Sequence, residues 1–456
     1  MKTLAIQSTT PSPKTHAMRV VPTLLSLLSL GLSPSAHAAD FGNFELSGFV
    51  KEEFSHCDNC SRGYANPSSF DPRGALDNPP NPPVNLPEES GAHGSNLGLM
   101  MATAGYHYEF DNAVTVLARA SGRERNNQPD IYGQYLIDGY VGASHPQYGS
   151  ISVGTLSTRS WTRTDAFSYP VGLSTSWAES GAGYSVIPRA IRLATKEFAL
   201  PVGKIRFEIT SGTASKQNPL NAQSSVVPPP RPTLTEGFIQ YSNDHHLIEL
   251  IYQQSSGAVQ SSFSKGALFG SQGNTNANDP TYQTPREDVT ILEGNYYPNP
   301  VWQVTYGIKR SEWSGQQQQC DYSTAKAVCY FDQAGFNYDN QGQAHHAIEW
   351  DAFGGVLYHH GLWTATGAAT RMNKAYVATP TEWGQDNTAT FLNLGLYRKM
   401  PEVYKNLEVY AGIGRVLYGG QYPAPLSMPS NLADGAVDPR VSHSGNSITI
   451  GANLLF

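Results

Sequence analysis

Ser447-Ile448-Thr449-Ile450-Gly451-Ala452-Asn453-Leu454-Leu455-Phe456 is the stretch whose reading decides the fold. Side chains of an extended chain alternate between two faces. Ile448, Ile450, Ala452, Leu454 and Phe456 therefore share one face, and Ser447, Thr449, Gly451 and Asn453 the other. A strand that is apolar on one side and polar on the other, ending on an aromatic residue, suits a sheet with lipid outside and water inside. An open edge in hydrocarbon would leave backbone groups unsatisfied, so this strand is expected to pair with the first strand of the chain and close a cylinder.

The same alternation recurs from Phe44 onward in segments of roughly ten residues, which are separated in turn by short turns and long irregular stretches. Trp302, Val304, Tyr306 and Ile308, for example, alternate with Gln303, Thr305, Gly307 and Lys309. Short turns are expected at Asp111-Asn112, His145 to Gly149, Pro201-Val202-Gly203, Asn243-Asp244, Pro298-Asn299-Pro300, His359-His360-Gly361 and Pro401 to Asn406. Counting strands across these turns gives sixteen, an even number as both termini on one side require; eighteen remains the alternative. The expected fold is an all-β, transmembrane antiparallel barrel with long external loops, and Tyr106, Tyr108 and Phe110 suit an interfacial girdle.

Composition agrees with this class. Charged residues are 15% of the chain and aromatics 11%, whereas soluble domains carry about a quarter charged residues. Nothing reaches the roughly 18 to 20 uninterrupted apolar residues of a transmembrane helix. Lys14 and Arg19 precede an apolar run from Val20 to Leu32 that ends at Ala36-His37-Ala38, which reads as an export signal over residues 1–38 with the barrel over 39–456. Without Lys2, Lys14 and Arg19, the 30 basic residues fall to 27 against 37 acidic ones. That balance argues against nucleic acid as a partner.

The cysteines form two close pairs, Cys57 with Cys60 and Cys320 with Cys329. Local disulfides are favoured in an exported chain, over free thiols or metal ligands. Only the first pair has a two-residue gap and no histidine stands at ligand spacing, so no metal is expected. The adjacent pairs His245-His246, His345-His346 and His359-His360 read as turn and rim residues, because neighbours in a strand point opposite ways. No cofactor is implied. Ser442, His443 and Asp438 contain the residue types of a hydrolase triad, but such triplets arise by chance in polar loops, and the reading is of a channel, not an enzyme.

Two places carry a closer resemblance. Asp130-Ile131-Tyr132 through Ala143, then Gly149-Ser150-Ile151-Ser152-Val153-Gly154-Thr155-Leu156, a long loop and Arg192 resemble the fourth to sixth strands and third loop of the general porins of Gram-negative bacteria. Ile448 to Phe456 resembles their closing strand, with Phe456 as the terminal signal read by the barrel-assembly machinery. The long cysteine-bearing first and sixth loops depart from the pattern, as does a third loop without an acidic cluster. The resemblance implies an outer-membrane homotrimer whose third loop folds into the pore opposite a basic wall, passing small hydrophilic solutes and ions by passive diffusion. A substrate-specific channel for carboxylates or aromatic acids is the alternative.

Parity supplies the candidates for that wall. Arg119 and Arg123 share the face of Thr115 and Ser121, opposite Val114, Val116 and Ala118, and Arg192 and Lys196 are inward beside Ile191 and Leu193. The third loop offers Asp165 and Glu179 as opposing acids and Trp161, Tyr169 and Trp177 as rim aromatics. Basic residues outnumbering loop acids give an expected anion bias.

Overall fold

The computed structural model describes residues 39–40, 43–58, 92–125, 136–167, 183–214, 231–257, 272–273, 286–314, 317–321, 328–331, 347–372, 388–418 and 444–456. Residues 1–38, where an export signal is expected, lie outside them, as do Cys60, Tyr169, Trp177, Glu179, His345-His346, Asp438, Ser442 and His443.

Sixteen long strands follow one another around a single sheet. They are β1 (Phe44–Asp58), β2 (Ala92–Glu109), β3 (Thr115–Arg125), β4 (Leu136–His145), β5 (Gly149–Ser157) and β6 (Val186–Ala194). Next come β7 (Lys204–Thr213), β8 (Thr233–Ser242), β9 (His246–Ser256), β10 (Arg286–Asn299) and β11 (Trp302–Ser314). The last five are β12 (Ala347–His360), β13 (Trp363–Met372), β14 (Ala389–Lys399), β15 (Leu407–Tyr418) and β16 (Ser444–Leu455). Each pairs antiparallel with the next, and β16 pairs with β1 from Phe49↔Leu455 to Asp58↔Asn446, so the sheet closes. The count is sixteen, not eighteen.

The turns follow from local chemistry. Asn112 Oδ1 accepts the Val114 N–H, Asn243 Oδ1 those of His245 and His246, and Asn299 Oδ1 those of Val301 and Trp302. These Asx contacts fold the chain back within a few residues. Above the turns the outward face is apolar, with Val141, Ile209, Leu394, Ile413, Ile448 and Ile450 all more than half exposed. An Arg or Lys there would cost about 2 to 4 kcal/mol at the bilayer midplane. At the short-turn end Tyr108 meets Phe110 edge to face at 4.9 Å and Trp302 lies 4.8 Å from Tyr358, forming the expected aromatic girdle.

The terminal residue closes the cylinder. Gly48 N–H donates to the Phe456 carbonyl at 2.9 Å, and Phe456 N–H donates to the Gly48 carbonyl at 3.0 Å. A Cβ at residue 48 would sit 2.2 Å from the Met101 carbonyl oxygen and 2.7 Å from the Phe456 ring. Only glycine admits this clasp. Gly48→Val is expected to cost about 1 to 3 kcal/mol by overpacking, and to lower the fraction of chain that runs as a compact, heat-modifiable band on unboiled gels. An unchanged fraction would show that the clasp is dispensable.

Outside the barrel, Gln272–Gly273, Gln317–Asp321 and Val328–Phe331 form a small three-stranded sheet. Cys320 and Cys329 are cross-strand Cα partners in it, and Cys57 lies near the end of β1.

Candidate functional site

The third long connection turns inward directly after β5. Its first segment is a helix, α1 (Arg159–Phe167). Thr158 caps it: Thr158 Oγ1 accepts the Trp161 N–H at 3.3 Å, and the Thr158 carbonyl accepts the Thr162 N–H at 3.2 Å. The Glu236 carboxylate, from the inner face of β8, takes the Arg159 and Ser160 N–H groups at 2.5 and 2.9 Å. A carboxylate at a helix N-terminus satisfies orphan donors and favours the dipole. The first turn of α1 is therefore anchored to the barrel wall by its backbone.

Two arginines four residues apart complete the anchor, since that spacing places them on one helix face. Arg159 binds Glu208 of β7 through Nε at 2.6 Å and Nη2 at 3.0 Å. Arg163 binds Glu249 of β9 through Nε at 2.8 Å and Nη2 at 2.6 Å, and Gln240 donates to the same carboxylate. Forked pairs of this kind fix geometry as well as charge. Arg159 and Arg206 also lie 5.6 Å from the Phe238 ring. The helix packs against β9 and β10, where Ile251, Val289 and Ile291 are inward and buried.

The returning limb of the loop is held as firmly. Gln253 accepts the Tyr184 N–H at 2.7 Å and donates to the Tyr184 carbonyl and to Ser160 Oγ, at 3.0 and 2.6 Å. Gly183 has φ +71°, and a Cβ there would come within 2.3 Å of Gln253 Oε1. Burial lifts the Tyr184 phenol well above its ordinary pKa, so it stays neutral.

The sequence-derived candidates fall in different places. Arg119 is exposed on β3. Arg123, four residues further along, carries its guanidinium 5.2 Å from the Trp161 ring and so stacks against the loop helix. Arg192 is on the wall but largely buried, donating to Thr210 Oγ1 at 2.7 Å and the Ser157 carbonyl at 2.6 Å. It holds the start of the loop in place. Lys196 lies beyond the end of β6 in a short turn, exposed, 5.9 Å from the Phe198 ring, apart from the other three. Asp165 belongs to α1. Parity alone did not reveal the inversion at this site: the loop supplies arginines and the wall supplies the carboxylates of Glu208, Glu236 and Glu249.

Exposure separates the two signs of charge. Lys51, Arg159, Arg163, Arg192 and Arg206 keep between 12 and 31% of their side-chain surface, while their partners Glu53, Glu208 and Glu249 keep 0 to 5%. Lys309 is the inward cation that is wholly buried, 3.5 Å from the equally buried Asp351. Exposed carboxylates of inward parity, Glu45 and Glu109, stand at the short-turn mouth. Around the helix, then, acids form a covered layer behind arginines that face the bore.

A closed sixteen-stranded antiparallel barrel with a helix-bearing loop on its inner wall has the porin architecture of bacterial outer membranes. No protein-family model matches the chain, and no curated sequence does. Among solved structures it is similar to an anion-selective porin from Comamonas acidovorans, with TM-score 0.54, 10% identity, and 91% of this chain and 99% of that one covered. It is also similar to the in-vitro folded trimer form of OmpT, an outer membrane protein of Vibrio cholerae, with TM-score 0.52, 12% identity and coverage of 91% and 99%. A loop-deletion mutant of the same Vibrio protein gives 0.50, 11%, 91% and 99%.

Proposed function

We propose that residues 39–456, exported by the segment 1–38, form a porin of a Gram-negative outer membrane through which small hydrophilic solutes and ions diffuse passively, anions ahead of cations. The single observation that carries the anion preference is the exposure asymmetry around α1. A charge covered by its counter-ion in a protein wall acts weakly on a passing solute, whereas an arginine that still faces water acts directly. One of the similar structures is an anion-selective porin; that likeness speaks to fold, and the selectivity rests on the arginines of this chain.

Arg119 and Arg123 serve as the basic wall, with Trp161 at the rim, and Arg159 and Arg163 add positive charge from the loop where they pair with Glu208 and Glu249. Arg192, Glu208, Glu236 and Glu249 position the loop. Asp165 and Glu179 would temper the field as loop acids, and the two cysteine pairs would pin external loops as disulfides. Phe456 would serve as the terminal signal for the assembly machinery.

A homotrimer is the assembly favoured by the outward face of β2 and β3. Ala102, Ala104, Ala118, Ala120 and Gly122 are small enough for close protein packing, and the outward acids Glu52 and Glu124 on β1 and β3 are ones that lipid would penalise. Light scattering of the detergent-solubilised protein reads the mass directly, and a monomer would remove this part of the proposal.

Liposome swelling tests the solute preference. Vesicles holding the protein are expected to swell several-fold faster in an anionic solute than in a cationic one of the same size. Equal rates, or faster swelling with the cation, would overturn the preference. Saturable uptake confined to aromatic carboxylates would instead support a specific channel built on the Arg123–Trp161 stack.

A further inference from the structure

The outward face of β13 to β16 carries arginines and no carboxylate. On β13 it runs Trp363, Ala365, Gly367, Ala369, Arg371; on β14 Thr390, Leu392, Leu394, Leu396, Arg398. On β15 it runs Val409, Ala411, Ile413, Arg415, Leu417, and on β16 Asn446, Ile448, Ile450, Ala452, Leu454. Arg398 is at the short-turn end and is neutralised by Glu402 at 2.5 Å. Arg371 and Arg415 are at the other end of their strands, both exposed.

Their height follows from strand geometry. Each lies eight residues along its strand, from Trp363 and from Leu407. With a rise near 3.3 Å per residue and a tilt near 40°, that is about 20 Å above the girdle. This is the far edge of an apolar band about 25 Å tall, on the side of the long, external connections. Arg310 of β11 has the same spacing from Trp302, but Glu312 already neutralises it at 2.7 Å. Arg371 Nη1 donates to Thr390 Oγ1 at 2.7 Å. Thr390 is the register partner of Arg371, and Arg415 is the partner of Leu392, two residues on from Thr390 along β14. Two strand spacings and a two-residue offset place the arginine Cα atoms about 12 Å apart, with the hydroxyl between them.

An arginine at the rim of a hydrocarbon band with no carboxylate partner among the described residues calls for an anion from the membrane itself. We propose that Arg371, Thr390 and Arg415 form a docking site for the phosphate groups of a phosphorylated lipid in the external leaflet. Guanidinium forks match phosphate oxygens, and two of them at this separation suit a head group bearing two phosphates. The adjoining arc, across the β16–β1 seam, carries Glu52 and Glu124 outward and would repel the same lipid. The inference rests on the barrel spanning a membrane, so the test scores folding and lipid separately.

Native mass spectrometry of the mature protein in neutral detergent, with lipid A as the bisphosphorylated probe, reads the site. The folded barrel is verified first by its heat-modifiable band; failure there is a failure of the membrane reading, not of the lipid site. Arg371→Gln/Arg415→Gln is expected to lower the retained lipid by about 25-fold, and Arg398→Gln to leave it unchanged. If the double variant does not fold, Arg415→Gln alone is expected to lower it by about fivefold. Undiminished binding by the variants would overturn the proposal, as would equal binding of dephosphorylated lipid A or displacement of the lipid by an equal concentration of inorganic phosphate.

Discussion

Arg119→Glu/Arg123→Glu is expected to reverse the sign of the ion preference while leaving the barrel assembled. Both residues are on the inner face of β3, and the forked pairs that anchor α1 to β7 and β9 are made by Arg159 and Arg163. The substitution changes the local charge by four units at the height where Arg123 stacks on Trp161. Charged rings at a constriction set ion preference because the pore wall is close and its dielectric low. The reversal potential in a potassium chloride gradient is the readout. A potential that keeps its sign and size would place the constriction elsewhere and remove these two residues from it.

Arg163→Ala is expected to loosen the helix instead. Glu249 is wholly buried, and its Cα partner across the β9–β10 ladder is Glu293, also wholly buried. Removing the guanidinium leaves the Glu249 carboxylate with Gln240 as donor and a second buried carboxyl group, that of Glu293, as its cross-strand neighbour. Breaking a buried pair from one side costs about 3 to 5 kcal/mol, and the lower end applies because a quarter of Arg163 faces water. Three kcal/mol corresponds to a factor of about a hundred between docked and undocked helix. Single-channel records should then show larger, noisier openings. Arg163→Ala/Glu249→Ala, which removes the stranded charge as well, should recover part of the quiet behaviour. Records identical to the parent would mean that apolar packing on Ile251, Val289 and Ile291 holds the helix without the lattice.

The barrel was legible because two independent signals agree. Alternation fixes which residues face out, and the Asn and Gly residues of the turns fix where each strand reverses; Asn112, Asn243 and Asn299 are found in the Asx contacts their positions imply. The site was less legible because its parts come from four distant segments. Glu208, Glu236 and Glu249 belong to three strands, and the loop alone brings Arg159 and Arg163 to them. Nothing in linear spacing joins these residues.

Alternation also weakens where the loop packs. Leu234, Phe238, Ile251, Val289 and Ile291 are apolar yet inward, because the helix and the returning limb cover them instead of water. On β8 this puts Leu234 and Phe238 on the same face as Glu236, and neither face reads as the greasy one. One signal did exist for the helix. Arg159 and Arg163 stand four apart after a threonine suited to capping, a helical pattern inside what otherwise reads as a loop. The sequence-based expectation is instead acids on the loop, Asp165 and Glu179, opposite a basic wall.

Single-channel recording of the refolded mature chain under a potassium chloride gradient tests the central claim most directly. Discrete conductance steps are expected, with a reversal potential of the sign set by chloride passing more readily than potassium. A bilayer that stays electrically silent with heat-modifiable, folded protein present would contradict a water-filled bore. Steps whose reversal potential favours potassium would contradict the arrangement of covered acids behind exposed arginines.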